Sequence, residues 1–305
     1  MKLKYLKMKK IKWLQLVVLF FISTNTVCSQ NHHSGIKTIK VKDNIYMLQG
    51  AGGNIGVFVG EDGVFMIDDK FDNLTADILE AIKEITNEPV AYLVNTHWHG
   101  DHTGGNENME KEGAIIISHE NVRKRMSVDN IVRGKLKKAA PKGALPILTF
   151  TKDMFFHLNG EDILVSHVHN AHTDGDAHIY FTNANVIHMG DTYFQGKFPY
   201  IDVDSGGSID GYIEAVEKAI RIADDETIII PGHFNLSNKK ELLVFKEMLV
   251  TLRNRVAAKI EEGKTLKEVK NDVSITKEYE KEYSFSFINA EKIRTIIYNS
   301  LKNKN

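Results

Sequence analysis

The run Thr96-His97-Trp98-His99-Gly100-Asp101-His102 places three imidazoles and one carboxylate within six residues. It follows directly on an apolar stretch, Val90-Ala91-Tyr92-Leu93-Val94, that reads as a strand. In an extended chain, residues two apart point to the same side, so His97 and His99 can grip one ion together. Past Gly100 the backbone turns freely, and Asp101 and His102 can face a second ion beside the first. Imidazole nitrogen and carboxylate oxygen are donors that a borderline cation such as Zn²⁺ accepts. A bare His-x-His would read more simply as a surface loop. Adding Asp101 and His102 at this spacing makes a two-metal site the stronger reading.

The chain has 305 residues and 42% hydrophobic content, enough for a large core. The first residues stand apart from that core. Lys2, Lys4, Lys7, Lys9, Lys10 and Lys12 form a basic start, Trp13 to Ser23 an apolar segment short for a bilayer, and Val27-Cys28-Ser29 a small-residue cleavage site. Residues 1–29 therefore read as a secretory signal peptide, which implies a periplasmic or secreted protein with no stable membrane insertion after cleavage. A short membrane anchor and a lipidated Cys28 are the competing readings. Cys28 is the only cysteine, so cleavage after Ser29 leaves no disulfide and no thiolate ligand. Without the six leader lysines, 33 basic side chains stand against 40 acidic ones, which argues against nucleic acid as a partner. The partner expected is a small-molecule substrate; the oligomeric state is left open. The Lys-rich stretch 134–138 reads as a solvated helix face.

Along the remaining chain, residues 31–35 read as a short tail carrying His32 and His33. Apolar or alternating runs at 36–41, 45–48, 55–59 and 64–67, separated by Asp43-Asn44, Gly52-Gly53 and Asp62-Gly63, predict an antiparallel meander. A helix opens at Asp72 with Leu74, Ile78, Ile82 and Ile85 on one face. Strands at 90–94 and 114–117 follow, then a helix at 120–126 and a loop or broken helix at 136–146. A second strand set is expected at 154–158, 163–168, 177–181 and 186–189. Helices at 209–222 and 236–261 flank a strand at 228–230, and the tail from Thr265 is helical. Residues 30–305 read as a single domain of two related halves.

Further donors stand where strands end, each beside a glycine: His172 in Ala171-His172-Thr173-Asp174-Gly175-Asp176, Asp191 in Gly190-Asp191, and His233 in Pro231-Gly232-His233. The series H-x-H-x-D-H, A-H-T-x-G-D, G-D and P-G-H, in that order, resembles the metallo-β-lactamase superfamily across nearly the whole chain after the leader. The resemblance implies an α/β fold, a four-layer αββα sandwich, with two Zn²⁺ per chain at one edge. It implies that His97, His99 and His172 bind one ion, that Asp101, His102 and His233 bind the other, and that Asp191 bridges them. Asp68 matches the family's first acidic position, which orients ligands. A metal-bridged hydroxide would attack the acyl carbon of a β-lactam, lactone, ester or thioester, with Asp101 as the catalytic carboxylate. His167 and His169 are weaker ligand candidates; His178 and His188 read as core groups, while His119 and His157 carry no signal.

The match departs from the family's subgroups in places. True β-lactamases usually carry Cys or Ser where Asp191 stands, so the chain is similar to the Asp-bridged glyoxalase II-like thioesterases and lactonases. Lactonases tend to have Tyr where Phe194 stands, with Tyr193 one place early. The β-lactamase lysine is absent, although Lys197 is near, and no cationic glutathione patch is recognisable. A mononuclear iron centre of the persulfide dioxygenase kind, or a non-catalytic metal-binding module, are the alternatives.

Overall fold

The computed structural model describes residues 35–132 and 134–302. The signal peptide expected at 1–29, Cys28 with it, and His32 and His33 lie outside the described residues. Strands β1 (Lys37–Lys42), β2 (Ile45–Gln49), β3 (Ile55–Phe58) and β4 (Val64–Ile67) pair antiparallel in sequence order, as the meander predicts. Helix α1 (Thr75–Lys83) then carries the chain to β5 (Val90–Asn95), which runs parallel to β4. Short helices α2 (Gly100–Thr103) and α3 (Asn106–Lys111) lead to β6 (Ile115–His119), parallel to β5. After α4 (Glu120–Met126) come a two-stranded hairpin, β7 (Asn130–Val132) and β8 (Lys135–Lys137), and an edge strand, β9 (Leu148–Phe150). The first sheet thus has the order β1-β2-β3-β4-β5-β6-β9.

The second sheet contains β10 (Asp153–Leu158), β11 (Glu161–His167), β12 (Ala177–Phe181) and β13 (Val186–His188), all antiparallel. Helix α5 (Ile209–Ile222) crosses over to β14 (Ile228–Ile230), parallel to β13, and β15 (Ser237–Asn238) closes the edge. Helices α6 (Lys239–Glu261), α7 (Leu266–Asn271), α8 (Glu280–Tyr283) and α9 (Ala290–Lys302) complete the chain. Local chemistry marks their starts. Ser208 Oγ accepts the Gly211 N–H ahead of α5, and Asn238 Oδ1 accepts the Glu241 N–H ahead of α6. Thr265 and Glu268 form a capping box at α7.

Alternation of side chains builds the layers. Met47, Phe58, Phe65 and Ile67 point inward against Ile163, Val165, Ile179 and Phe181 of the second sheet. Their neighbours Leu48, Val57, Val64 and Met66 point the other way, onto Ile78 and Ile82 of α1 and Met109 of α3. Ile187 and Ile229 of the second sheet face outward onto Tyr212 and Val216 of α5 and Leu249 of α6. Helices, sheet, sheet and helices therefore stack as the expected four-layer αββα sandwich.

The stretch 134–138 differs from the reading above. It is a strand and not a helix face, because Lys135–Lys137 pairs with Asn130–Val132 across a turn at Gly134 (φ +75°). Charge at alternate positions is as compatible with an edge ribbon as with a solvated helix.

Phe181 joins the two sheets, its ring 5.3 Å from Phe58 and 6.2 Å from Phe65, edge-on in both contacts. Phe181→Ala should destabilise the fold by about 3–5 kcal/mol, since this site is walled by strands that cannot collapse into the void. Denaturant unfolding measures it; a loss below about 1 kcal/mol would show that the two sheets do not depend on this contact.

Candidate metal centre

The structure brings all seven predicted donors to one edge of the sandwich, from the ends of different strands. His97, His99, Asp101 and His102 follow β5, His172 lies in the loop after β11, Asp191 follows β13 and His233 follows β14. They form two groups, His97, His99, His172 and Asp191 in one, and Asp101, His102 and His233 in the other, with donor atoms inside each group no more than 4.8 Å apart. Asp191 faces both. Its Oδ2 lies 3.8 Å from His97 Nε2 and 3.6 Å from His172 Nε2. Its Oδ1 lies 3.1 Å from His102 Nε2 and 3.3 Å from His233 Nε2. Asp101 Oδ2 stands 3.7 Å from His102 Nε2 and 3.4 Å from His233 Nε2.

Outer hydrogen bonds set which ring nitrogen of each histidine is bare. His99 Nε2–H donates to Asp202 Oδ2 at 2.8 Å, and His172 Nδ1–H to the Tyr200 carbonyl at 2.8 Å. His102 Nδ1–H donates to Asp68 Oδ2 at 2.7 Å. Thr96 Oγ1 donates to the same carboxylate and so accepts from His97 Nδ1–H at 3.1 Å. The inner nitrogens of His97, His99 and His172 are thereby left as lone pairs. His99 Nδ1 then faces His97 Nε2 at 3.1 Å and His172 Nε2 at 2.8 Å with no hydrogen between them. His102 Nε2 and Asp191 Oδ1 are buried and face each other at 3.1 Å. Converging bare donors of this kind fit cations, which supply the missing positive charge.

Electrostatics point the same way. Burial holds the His97, His99 and His172 imidazoles below their usual range, so they are neutral at pH 7. Burial also acts on His102, but the carboxylates of Asp191, Asp101 and Asp68 outweigh it and raise its pKa. Asp191 would be raised by burial, yet His233 and His102 hold it low. Asp202 is likewise brought down to about 2, the hydrogen bond from His99 overcoming its burial.

The backbone approaches the donors closely at two glycines. A Cβ on Gly53 would meet His102 Cε1 at 2.1 Å, and one on Gly232 would meet Asp191 Oδ1 at 2.2 Å. Lys70, fully buried at a position with φ +58°, donates to the Gly53 carbonyl. Burial lowers its pKa to about 8 against the pull of Asp101 and Asp68. Tyr212 OH donates to the Asp191 carbonyl at 2.7 Å and anchors that turn to α5. Asn54 Nδ2 donates to the carbonyls of Pro231 at 3.0 Å and Phe234 at 2.9 Å, tying the His233 turn to the first sheet.

Asp68 orients His102 as expected. Asp202, Lys70, Asn54 and Tyr212 escaped the sequence reading, since none stands in a motif. His167 and His169 are in neither donor group; His167 Nδ1 bonds the Asp176 carbonyl at 2.8 Å and its ring stacks on His119. His178 bonds Thr192 Oγ1 at 2.7 Å, and His188 bonds the Asn54 carbonyl at 3.2 Å, so both are buried supports. Lys197 turns away to the Glu282 carbonyl. Phe194 stacks on His233, with ring centroids 4.9 Å apart.

An αββα sandwich with two convergent His/Asp donor groups at one edge defines a class of metal-dependent enzymes. The family model described as "Metallo-beta-lactamase superfamily" matches residues 48–233, and the chain belongs to that superfamily. A hydroxyacylglutathione hydrolase from Polaromonas sp. is 28% identical over 162 residues, 52% of this chain and 54% of that protein. The chain spans about half or less of the length of the curated relatives it matches. A metallo-beta-lactamase from Pontibacter korlensis is similar in fold, with a TM-score of 0.59 and 17% identity over 70% of this chain and 98% of that one. The sec-alkylsulfatase Pisa1 from Pseudomonas sp. superposes with a TM-score of 0.65 and 17% identity, over 87% of this chain and 50% of that one.

Two outcomes follow from this geometry. Gly53→Ala should weaken the ion at Asp101, His102 and His233 by at least about tenfold, because it displaces the His102 ring. Metal titration of the folded variant checks it, and unaltered affinity would contradict the packing. Acidification should remove that same ion first. The raised His102 pKa keeps a proton competing for Nε2 at pH values where His97, His99 and His172 are still neutral. Metal content after dialysis at stepped pH should fall from two to one before reaching zero; simultaneous loss would count against it.

Proposed function

We propose that the protein is a zinc-dependent hydrolase acting on an acyl compound: a β-lactam, lactone, ester or thioester. The observation that carries this reading is the division of Asp191, one carboxylate oxygen toward each donor group. When bound, the two ions would supply a water activated at neutral pH and a Lewis acid for the carbonyl oxygen. The protein's own groups have distinct tasks. His97, His99 and His172 would hold one ion, Asp101, His102 and His233 the other, and Asp191 both. Asp101 and His233 are the donors that open most to solvent, 27% and 21% exposed, and both line a cavity above the site. In this reading Asp101 Oδ2 would orient the attacking water and hold its proton on the way to the leaving group. No side-chain nucleophile is required.

Seven donors in two groups favour two ions over the mononuclear iron alternative, and a cavity directly over them favours catalysis over a passive binding module. The hydroxyacylglutathione hydrolase relatives support including thioesters among the substrates tried. Export with cleavage near Gln30, and a single domain over 30–305, belong to the same proposal; N-terminal sequencing of the mature protein decides the first.

Elemental analysis of protein purified without added metal should give about two zinc per chain. Stoichiometric iron with little zinc would sink the hydrolase reading. Asp101→Asn should keep the fold and lower turnover by about 10²-fold or more on whichever substrate the wild type accepts. Asp191→Ala should deplete both ions. Full activity in Asp101→Asn, or two retained ions in Asp191→Ala, would refute the assigned roles.

A further inference from the structure

The cavity over the donor groups, about 480 Å³, has an aromatic wall and a single ammonium. The wall is continuous: Phe194, Phe285, Phe287 and Tyr200 follow one another with ring centroids 6.4, 6.3 and 5.3 Å apart. Phe285 and Phe287 come from the segment between α8 and α9. Among the described lining residues the only Lys or Arg is Lys137, on β8.

Pairing across the β7–β8 hairpin explains why this lysine faces the site. Ile131 and Leu136 are directly opposite and point to solvent, 66% and 55% exposed. Val132 and Lys137, on the alternate face, line the cavity. The neighbouring lysines are differently employed: Lys138 pairs with Asp129 at 2.8 Å, and Lys135 is exposed. Lys137 Nζ lies 3.4 Å from the Trp98 carbonyl and 4.7 Å from the centre of the Trp98 ring, and it makes no salt bridge among the described residues. Three ammonium donors, half-shielded from water, thus meet one carbonyl and one ring face. Such a group gains most from an anion arriving beside it.

We propose that the substrate is an amphipathic monoanion: an acyl compound whose carboxylate is held by Lys137 and whose apolar body lies on the Phe194–Phe285–Phe287 wall. This rests on the hydrolase reading of the same site. A single ammonium, with no guanidinium fork among the described lining residues, suits one carboxylate better than a phosphate dianion.

Two measurements on zinc-loaded protein test it. In the first, calorimetry compares 4-phenylbutanoate with 4-phenylbutan-1-ol. The carboxylate should bind the wild type more tightly than the alcohol. Lys137→Met should weaken it about tenfold or more, with Lys137→Arg keeping the preference and Lys137→Gln serving if the Met variant does not fold. In the second, kcat/KM is compared for the S-phenyl thioesters of glutaric acid and of pentanoic acid. The anionic-to-neutral ratio should fall about tenfold in Lys137→Met, and hold in Lys135→Met, whose charge is nearby but outside the cavity. Equal carboxylate affinity in wild type and Lys137→Met would overturn the proposal, since the anion would then sit elsewhere, on the ions for example. Failure of the wild type to bind the carboxylate would overturn it equally. Loss of carboxylate affinity in Lys137→Met with neither thioester hydrolysed would instead uphold anion recognition and count against the hydrolase reading.

Discussion

Three imidazole nitrogens facing one another at close to 3 Å without a proton among them is the constraint on which this structure turns. Such a convergence is repulsive unless a cation lies between the lone pairs. It persists because each of the three rings has committed its N–H outward, to Asp202, Tyr200 or Thr96. Asp202 and Thr96 are themselves buried and bonded, so rotating the ring bonded to either would leave a carboxylate or hydroxyl unpaired in a dry interior. The outer hydrogen bonds thus hold the donors in the orientation a metal needs.

The sandwich supplies the positions. Loops at the ends of β5, β11, β13 and β14 meet at one edge, and that edge is tied across the two sheets. Asn54 reaches from the first sheet to the turn of His233, and the Ala177 N–H of the second sheet donates to the Thr96 carbonyl at 2.9 Å. The ion pair would therefore sit on a seam, and its binding free energy would add to the cohesion of the two sheets. Gly53 and Gly232 matter here for their lack of a side chain: each lets a strand end come within contact of a donor.

In the proposed reading, catalytic and recognition roles separate in space. The donors lie at the floor of the cavity, with Asp101 and His233 partly open to it, while the proposed substrate surface is made by elements that a sequence motif does not announce, the β7–β8 hairpin and the segment between α8 and α9. Two proteins of this superfamily can share a metal site and differ in substrate, because the walls come from connections that vary independently of the strands.

The sequence by itself determined most of the strand and helix order and nominated the donor set, since both are written in local terms. Alternation at Ile45–Leu48 and Val64–Ile67, the helical spacing of Ile78 and Ile82, and His, Asp and Gly clustered at strand ends each need only a few neighbouring residues to be read. Lys135–Lys137 was misread because charge at alternate positions does not distinguish a ribbon from a helix face. Asp202, Lys70, Asn54 and Lys137 carry no motif, and each acts on a partner distant in sequence. Their roles exist only once the chain is folded: closing the two sheets brings Asp202 to His99 and Asn54 to the His233 turn, and packing within the first half brings Lys70 to Gly53 and Lys137 to Trp98. Periodicity reports which face of an element is apolar; only the tertiary structure decides which buried polar groups meet across the seam, because that depends on distances the chain does not encode locally.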